Sequence, residues 1–245
     1  MKYSIITLFP DIIHMYCSAS IIGRARSNGI ISIEPVNPRD FTYDVHRSVD
    51  DTPYGGGSGM VLMCEPIFSA VESIKKETKS ILIMTTPQGK PLNQNIVKEL
   101  TAYNQLIILC GHYEGFDERI RTGLKPMEIS VGDFVMTGGE LAALCIIDST
   151  ARLLPGVLGK DDSAKEESFC NGLLEYPHYT RPSEYREMKV PEILLSGHHK
   201  NINNWRRTQS IIRTYDRRPD LIKQANLTDQ EKKLLDEYIL SKVKE

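Results

Sequence analysis

Three glycine clusters hold the residue types from which a ligand site is built. Tyr54-Gly55-Gly56-Gly57-Ser58-Gly59-Met60 lets a ligand come close to the backbone, because glycine reaches positive φ without steric penalty. It lacks the Gly-Lys-Ser/Thr ending of a phosphate-binding loop, which excludes an NTPase on this feature. Asp50 and Asp51 just before it read either as turn residues or as polar contacts to a substrate. Cys110-Gly111-His112-Tyr113-Glu114-Gly115 directly follows an apolar run, and the carboxyl ends of parallel strands form the usual ligand crevice of α/β proteins. Gly111 would allow close approach there, and Glu114 offers a carboxylate to a cationic or hydrogen-bonding group. Plain strand-end packing is the other reading of Cys110 and His112. Val131–Glu140 (VGDFVMTGGE) repeats the layout, with Gly138-Gly139 leaving backbone N–H donors open at a helix start. It is not G-x-G-x-x-G, so no dinucleotide fold is indicated. Two clusters at strand ends and a third elsewhere suit an adenosine-type ligand.

Arg152 falls in the last turn of an apolar helix. It reads as a cation complementing the helix dipole, or as a guanidinium aimed into the crevice to stabilise an oxyanion. Glu166 and Glu167 lie in a charged stretch and by themselves read as solvated charge. Farther on, His198–Arg218 holds six basic side chains against Asp216 alone. Arg206, Arg213 and Arg217 share a helical face beside an apolar stripe of Ile202, Trp205, Ile212 and Tyr215. Either this is a solvated face over a packed helix, or a phosphate track with Trp205 available for stacking.

The elements that must position these residues alternate. Tyr3–Leu8, Ser80–Thr85, Gln105–Cys110 and Glu128–Val135 read as buried strands. Asp11–Ile22, Glu65–Lys79 and Leu92–Ala102 read as helices between them, which implies a parallel sheet covered on both faces. Gly139–Leu153 is apolar nearly all round, so it should be buried on most sides before Pro155-Gly156 ends it. The polar run 159–171 marks a boundary: a domain over 1–160, a mobile linker over 161–172, and a helical domain over 173–245. In the last, Lys200–Tyr215 and Thr228–Val243 read as helices, the second opened by the capping box Thr228-Asp229-Gln230-Glu231.

Composition narrows the class. The 245 residues are 40% apolar and 25% charged, enough for a sizeable core, and the net charge of −2 argues against binding nucleic acid by bulk charge. Five cysteines without a C-x-x-C pair argue against a disulfide framework or structural zinc, so cytosol is expected. The first twenty residues lack a basic n-region and carry Pro10 and Asp11, and no apolar run approaches a membrane span.

Five motifs in this order carry a resemblance: DDTPYGGGSGM (Asp50–Met60), CGHYEGFDE (Cys110–Glu118), GDFVMTGGE (Gly132–Glu140), LPGVLGK (Leu154–Lys160) and SFCNGLLEYPHYTRP (Ser168–Pro182). VPEILLSG (Val190–Gly197), Trp205–Arg207 and Arg217-Arg218-Pro219 extend it. The chain closely resembles the bacterial tRNA (guanine-37-N1)-methyltransferases, the TrmD family of the SPOUT class, over essentially its whole length. The resemblance implies an α/β parallel sheet with a deep trefoil knot, a small helical C-terminal domain, and an obligate cytoplasmic homodimer whose active sites use both chains. It implies S-adenosylmethionine in the knot, against Met84, Thr85, Thr86, Pro87, Gly111, Tyr113, Glu114, Val131, Gly132, Asp133, Phe134, Val135, Met136, Gly138 and Gly139. It implies the anticodon arm of tRNA against Asp50, Gly59, Glu175, His178, Arg181, Ser196, Trp205 and Arg206. Mg²⁺ is implied for transfer, although the sequence offers no metal cluster.

The implied chemistry fits the residues. N1 of guanine is a poor nucleophile until its proton is removed by a positioned base. Charge then develops on O6, which suits a fixed guanidinium. By resemblance Arg152 is that stabiliser, Glu114 lies beside the methyl donor, and Glu167 is the base. The family has Asp just before Ser-Phe, so Glu167 carries its carboxylate one methylene farther out. Two other readings remain: a non-catalytic RNA-binding protein of this fold, which the Glu would favour, and a SPOUT methyltransferase acting on another RNA, against which the intact Ser168–Pro182 speaks.

Overall fold

The computed structural model describes residues 1–159 and 167–242. The chain divides into two compact units, Met1–Lys160 and Asp161–Glu245. Residues 161–166 of the expected linker lie outside the described residues.

The first unit opens with β1 (Lys2–Ile6), α1 (Pro10–Cys17), α2 (Ser20–Ser27) and β2 (Ser32–Val36). The short pair β3 (Asp50–Asp51) and β4 (Val61–Leu62) leads into α3 (Cys64–Ser73). Then come β5 (Ser80–Pro91), α4 (Gln94–Leu100), β6 (Gln105–Cys110), α5 (Glu118–Leu124), β7 (Met127–Ser130) and α6 (Glu140–Ala151). Five strands form one sheet in the order β2-β1-β6-β5-β7, every neighbouring pair parallel. Side chains alternate across it. Ile5, Ile83, Leu106 and Ile108 join Ile13, Leu100 and Ile147 in one core layer, while Ile6, Met84, Ile107 and Leu109 join Ile67, Val71 and Ile120 in the other. All six residues of β6, the central strand, are buried.

Several elements differ from the expected ones. The helix expected over Asp11–Ile22 is two helices, broken at Ser18-Ala19. The Ser18 N–H donates to His14 O and its hydroxyl to Met15 O, and the second helix passes so close that a Cβ on Gly23 would lie 2.6 Å from the Ser18 carbonyl carbon. β2 contains Pro35, which belongs on a sheet edge, and β2 is an edge strand. β5 runs on to Pro91 by a detour: Thr85 and Lys90 both pair with Ile129, and residues 86–89 loop out between them. β7 ends at Ser130, because Gly132 takes φ +153 and turns the chain away. α6 is not covered all round: Leu141 and Cys145 are exposed.

The second unit contains the hairpin β8 (Glu184–Tyr185) and β9 (Met188–Lys189), then α7 (Glu192–Leu195), α8 (His199–Arg217), α9 (Pro219–Ile222) and α10 (Asp229–Lys242). Its core is Leu173, Ile211 and Leu235, with Tyr215, Ile222 and Tyr238 packed against them. α8 buries Ile202, Ser210, Ile211 and Thr214, so of the expected stripe Ile202 is buried and Tyr215 packs on the core while Trp205 and Ile212 are only half-buried. The buried Thr214 hydroxyl donates to Ser210 O at 2.6 Å and accepts from Leu174 N–H at 2.8 Å, so a polar face is satisfied inside. The capping box of α10 is formed: Thr228 N–H donates to Glu231 Oε2, and Glu231 N–H to Thr228 Oγ1.

Candidate functional site

A cleft of about 430 Å³ opens at the carboxyl ends of β5, β6 and β7. Its walls are three loops: 85–88, 111–116 and 129–139. Gly139 brings two of them together. Its N–H donates to Gly111 O at 2.8 Å, and a Cβ there would overlap the Thr85 hydroxyl and lie 2.8 Å from the Gly111 nitrogen. Only glycine fits so close an approach, and His112 and Gly138 form an isolated bridge beside it. The 111–116 loop is a tight turn closed by Gly115 N–H to His112 O at 3.0 Å, with Tyr113 at φ +57.

Of the expected cofactor residues, Thr85, Thr86, Pro87, Gly111, Tyr113, Glu114, Val131, Gly132, Phe134, Val135, Met136, Gly138 and Gly139 all line this cleft. Met84 and Asp133 do not. Strand alternation sends the fully buried Met84 side chain into the core layer under α3, and Asp133 is exposed beyond the rim. Gln88, Phe116, Arg121 and Thr137 line the cleft without having been expected. Phe116 and Thr137 lie inside the quoted motifs and Gln88 follows the expected Pro87, so loop continuity was the available signal.

Charge in the wall is held in place. Burial works against the Arg121 cation, but Glu128, accepting at 2.9 Å, and Glu118 more than offset it and raise its pKa. Outside the wall, Arg119 forks onto Asp117 at 2.9 and 2.7 Å and holds that carboxyl far below the usual range. Burial, aided by nearby Glu140, pushes the Cys110 thiol well up, so it stays a neutral packing group. His112 Nδ1 is buried without a hydrogen-bond partner among the described residues, and it lies so close to Gly138 that a Cβ there would be 2.8 Å from it.

Arg152 caps the carboxyl end of α6, its N–H donating to Asp148 O at 3.2 Å. Asp50 lies on β3 opposite Leu62, and Gly59 ends the glycine-rich loop. In the second unit, Glu167 opens a closed turn. Its carbonyl accepts from Cys170 N–H, Phe169 N–H donates to Leu173 O at 2.8 Å, and Ser168 Oγ accepts from Glu175 N–H at 3.0 Å. Glu175 also pairs with His178 at 2.7 Å, and His178 meets the Tyr176 ring at 4.9 Å. The Arg206 guanidinium lies 4.8 Å over Tyr176, and Trp205 meets Tyr179 at 6.4 Å. Two small groups result, Tyr176 with His178 and Arg206, and Tyr179 with Trp205. Arg181 and Ser196 are exposed, and Ser196 ends α7. Of the basic residues on α8 itself, Arg207 is taken up by Glu231 at 2.7 Å.

The family described as tRNA (guanine-1)-methyltransferase TrmD matches residues 1–224. A protein of Brevibacillus brevis named tRNA (guanine-N(1)-)-methyltransferase is 54% identical over 237 residues, 97% of this chain and 98% of that one. A protein of the same name from Dehalococcoides mccartyi is 51% identical over 98% of this chain and 97% of its own. One from Bacillus cereus is 53% identical over 97% and 98%.

Proposed function

The chain belongs to the TrmD family of tRNA (guanine-1)-methyltransferases, and from that premise we propose how its residues carry out the reaction, with N1 of guanosine 37, next to the anticodon, as the acceptor. The observation that carries this reading is the cleft: thirteen of the fifteen expected cofactor residues converge on one space at the strand ends. Its volume is that of a small-molecule site. The apolar loop 131–136 suits an adenine ring, the open backbone at Gly111 suits polar edges, and the Glu114 carboxylate suits a cation. S-adenosylmethionine supplies, when bound, an electrophilic methyl on a positively charged sulfur.

Glu167 takes the N1 proton of guanine. The N1 lone pair then forms the new C–N bond as the C–S bond breaks, its electron pair remaining on sulfur as a neutral thioether. Arg152 holds the charge that develops on O6, and Glu114 holds the donor's cation at attack distance. Among the described residues no group of three or more His, Cys, Asp or Glu side chains forms a metal site. Such a cage is not the usual home of Mg²⁺, which takes one or two carboxylates with substrate oxygens, so the Mg²⁺ we assign to transfer is given no ligand among these residues.

The units divide the work: 1–160 binds the cofactor, and 173–245 binds the anticodon stem-loop through Glu175, His178, Arg181, Ser196, Trp205 and Arg206, with 161–172 joining them. Asp50 and Gly59 contribute to the RNA from the first unit. The deep trefoil knot we assign to this unit is carried by its family membership. A homodimer is supported by the apolar face of α1 and α6, where Met15 is 75% and Leu141 59% exposed beside Ile12 and Tyr16. A cytoplasmic location agrees with five cysteines in no disulfide. No helix among the described residues is long and apolar enough to cross a membrane.

The test is methyl transfer from labelled S-adenosylmethionine to tRNA transcripts carrying guanine or adenine at position 37. Transfer to the first alone is expected, with Arg152→Ala slowing it about 100-fold or more. Tight tRNA binding without transfer would leave an RNA-binding protein instead.

A further inference from the structure

The segment Gly59–Leu62 runs alongside Glu114–Asp117. Glu114 N–H donates to Met60 O at 3.0 Å, Leu62 N–H to Gly115 O at 2.9 Å, and Asp117 N–H to Leu62 O at 3.0 Å. Leu62 and Phe116 pair in parallel. One side of this ladder is the cleft wall. The other is the glycine-rich loop, whose β4 is paired to Asp50 and Asp51. At Gly59 the two sides meet side chain against backbone. Gly59 has φ +89, and a Cβ on it would overlap Glu114 Oε1 and lie 2.6 Å from Cγ and 2.9 Å from Cδ. The Glu114 side chain therefore fills the space that any larger residue at 59 would need.

The Glu114 carboxylate makes no hydrogen bond or ion pair among the described residues, and the residue is exposed. Packing on the bare Gly59 Cα is then what restrains its rotamer. We infer that Gly59 is a positioning residue for Glu114, seating the carboxylate at the edge of the cofactor cleft, so that the glycine-rich loop sets cofactor affinity and not RNA contact alone. The inference rests on the reading of the cleft as the S-adenosylmethionine site. Forcing a methyl into a filled space displaces the flexible partner first, and here that partner is Glu114.

The experiment is calorimetric titration of the full chain with S-adenosylmethionine, without tRNA. Four proteins are compared: wild type, Gly59→Ala, Glu114→Ala and the double variant. Gly59→Ala is expected to weaken binding about tenfold. Glu114→Ala also weakens it, and adding Gly59→Ala to that background costs nothing further, because the conflict has been removed. Backbone strain from the positive φ is separate: it lowers the thermal midpoint equally with or without Glu114. Gly59 is exposed, so the variants keep the fold. Unchanged cofactor affinity in Gly59→Ala would overturn the inference alone, and so would an equal loss in the Glu114→Ala background. A wild type that binds no S-adenosylmethionine would remove the reading of the cleft and the inference with it.

Discussion

Thr7 donates its hydroxyl to the buried carboxylate of Glu140 at 2.7 Å, tying the end of β1 to the first turn of α6 across the sheet. Both residues are almost fully buried. Thr7→Val keeps the volume and leaves the acceptor short of a donor. It should cost about 1–3 kcal/mol of stability, read as a lower urea midpoint at unchanged slope. A midpoint equal to wild type would mean that Glu140 does not depend on this bond.

Glu167→Gln removes the proposed base and keeps the shape. Single-turnover transfer should fall by about 10²–10⁴ while tRNA affinity stays near wild type. Glu167→Asp, which restores the length usual in the family, should transfer at least as well as wild type. Unchanged transfer by the Gln variant would assign the N1 proton to another group.

Asp117 gives a pH dependence with a definite sign. The Arg119 fork holds its carboxyl well below the ordinary value, so the pair stabilises the fold fully above the unfolded pKa of about 3.9. That contribution fades as pH falls from there through the folded value. Asp117→Asn keeps an acceptable helix cap for α5. The thermal midpoint of wild type should exceed that of the variant at pH 7, and the gap should narrow below about pH 4. A constant gap down to pH 3 would count against the pair.

Arg206 sits on Tyr176 with its Nε buried and unpartnered among the described residues. If its guanidinium meets a tRNA phosphate, Arg206→Ala should reduce the slope of log affinity against log salt by about one. An unchanged slope with reduced stability would make it a packing residue of the second unit.

The strands of the central sheet were legible where β1, β6 and the first half of β5 (Ser80–Thr85) form short apolar runs rich in Ile and Leu. The cleft loops were legible because glycine marks close backbone approach. What the pattern hid follows from physics that it does not encode. β2 carries Pro35 and a charged Glu34, which only an edge position tolerates. The register of α8 turns on Ser210 and Thr214, polar residues that count as surface until their partners are known. Met84 was misdirected because motif likeness assigns a residue, whereas strand alternation decides which face its side chain takes. The Thr7–Glu140 bond spans 133 positions, beyond the reach of any local pattern. The break between α1 and α2 is invisible in an apolar run that suits a continuous helix.

The detour at residues 86–89 begins and ends opposite the same residue, Ile129. At its far foot Gly89 lies so close to the neighbouring strand that a Cβ would overlap the Ile129 nitrogen, whereas Thr86, Pro87 and Gln88 reach the cleft. Compounds that compete for this cleft would therefore meet a wall whose side chains can vary at 86–88 while the foot that holds them admits only glycine.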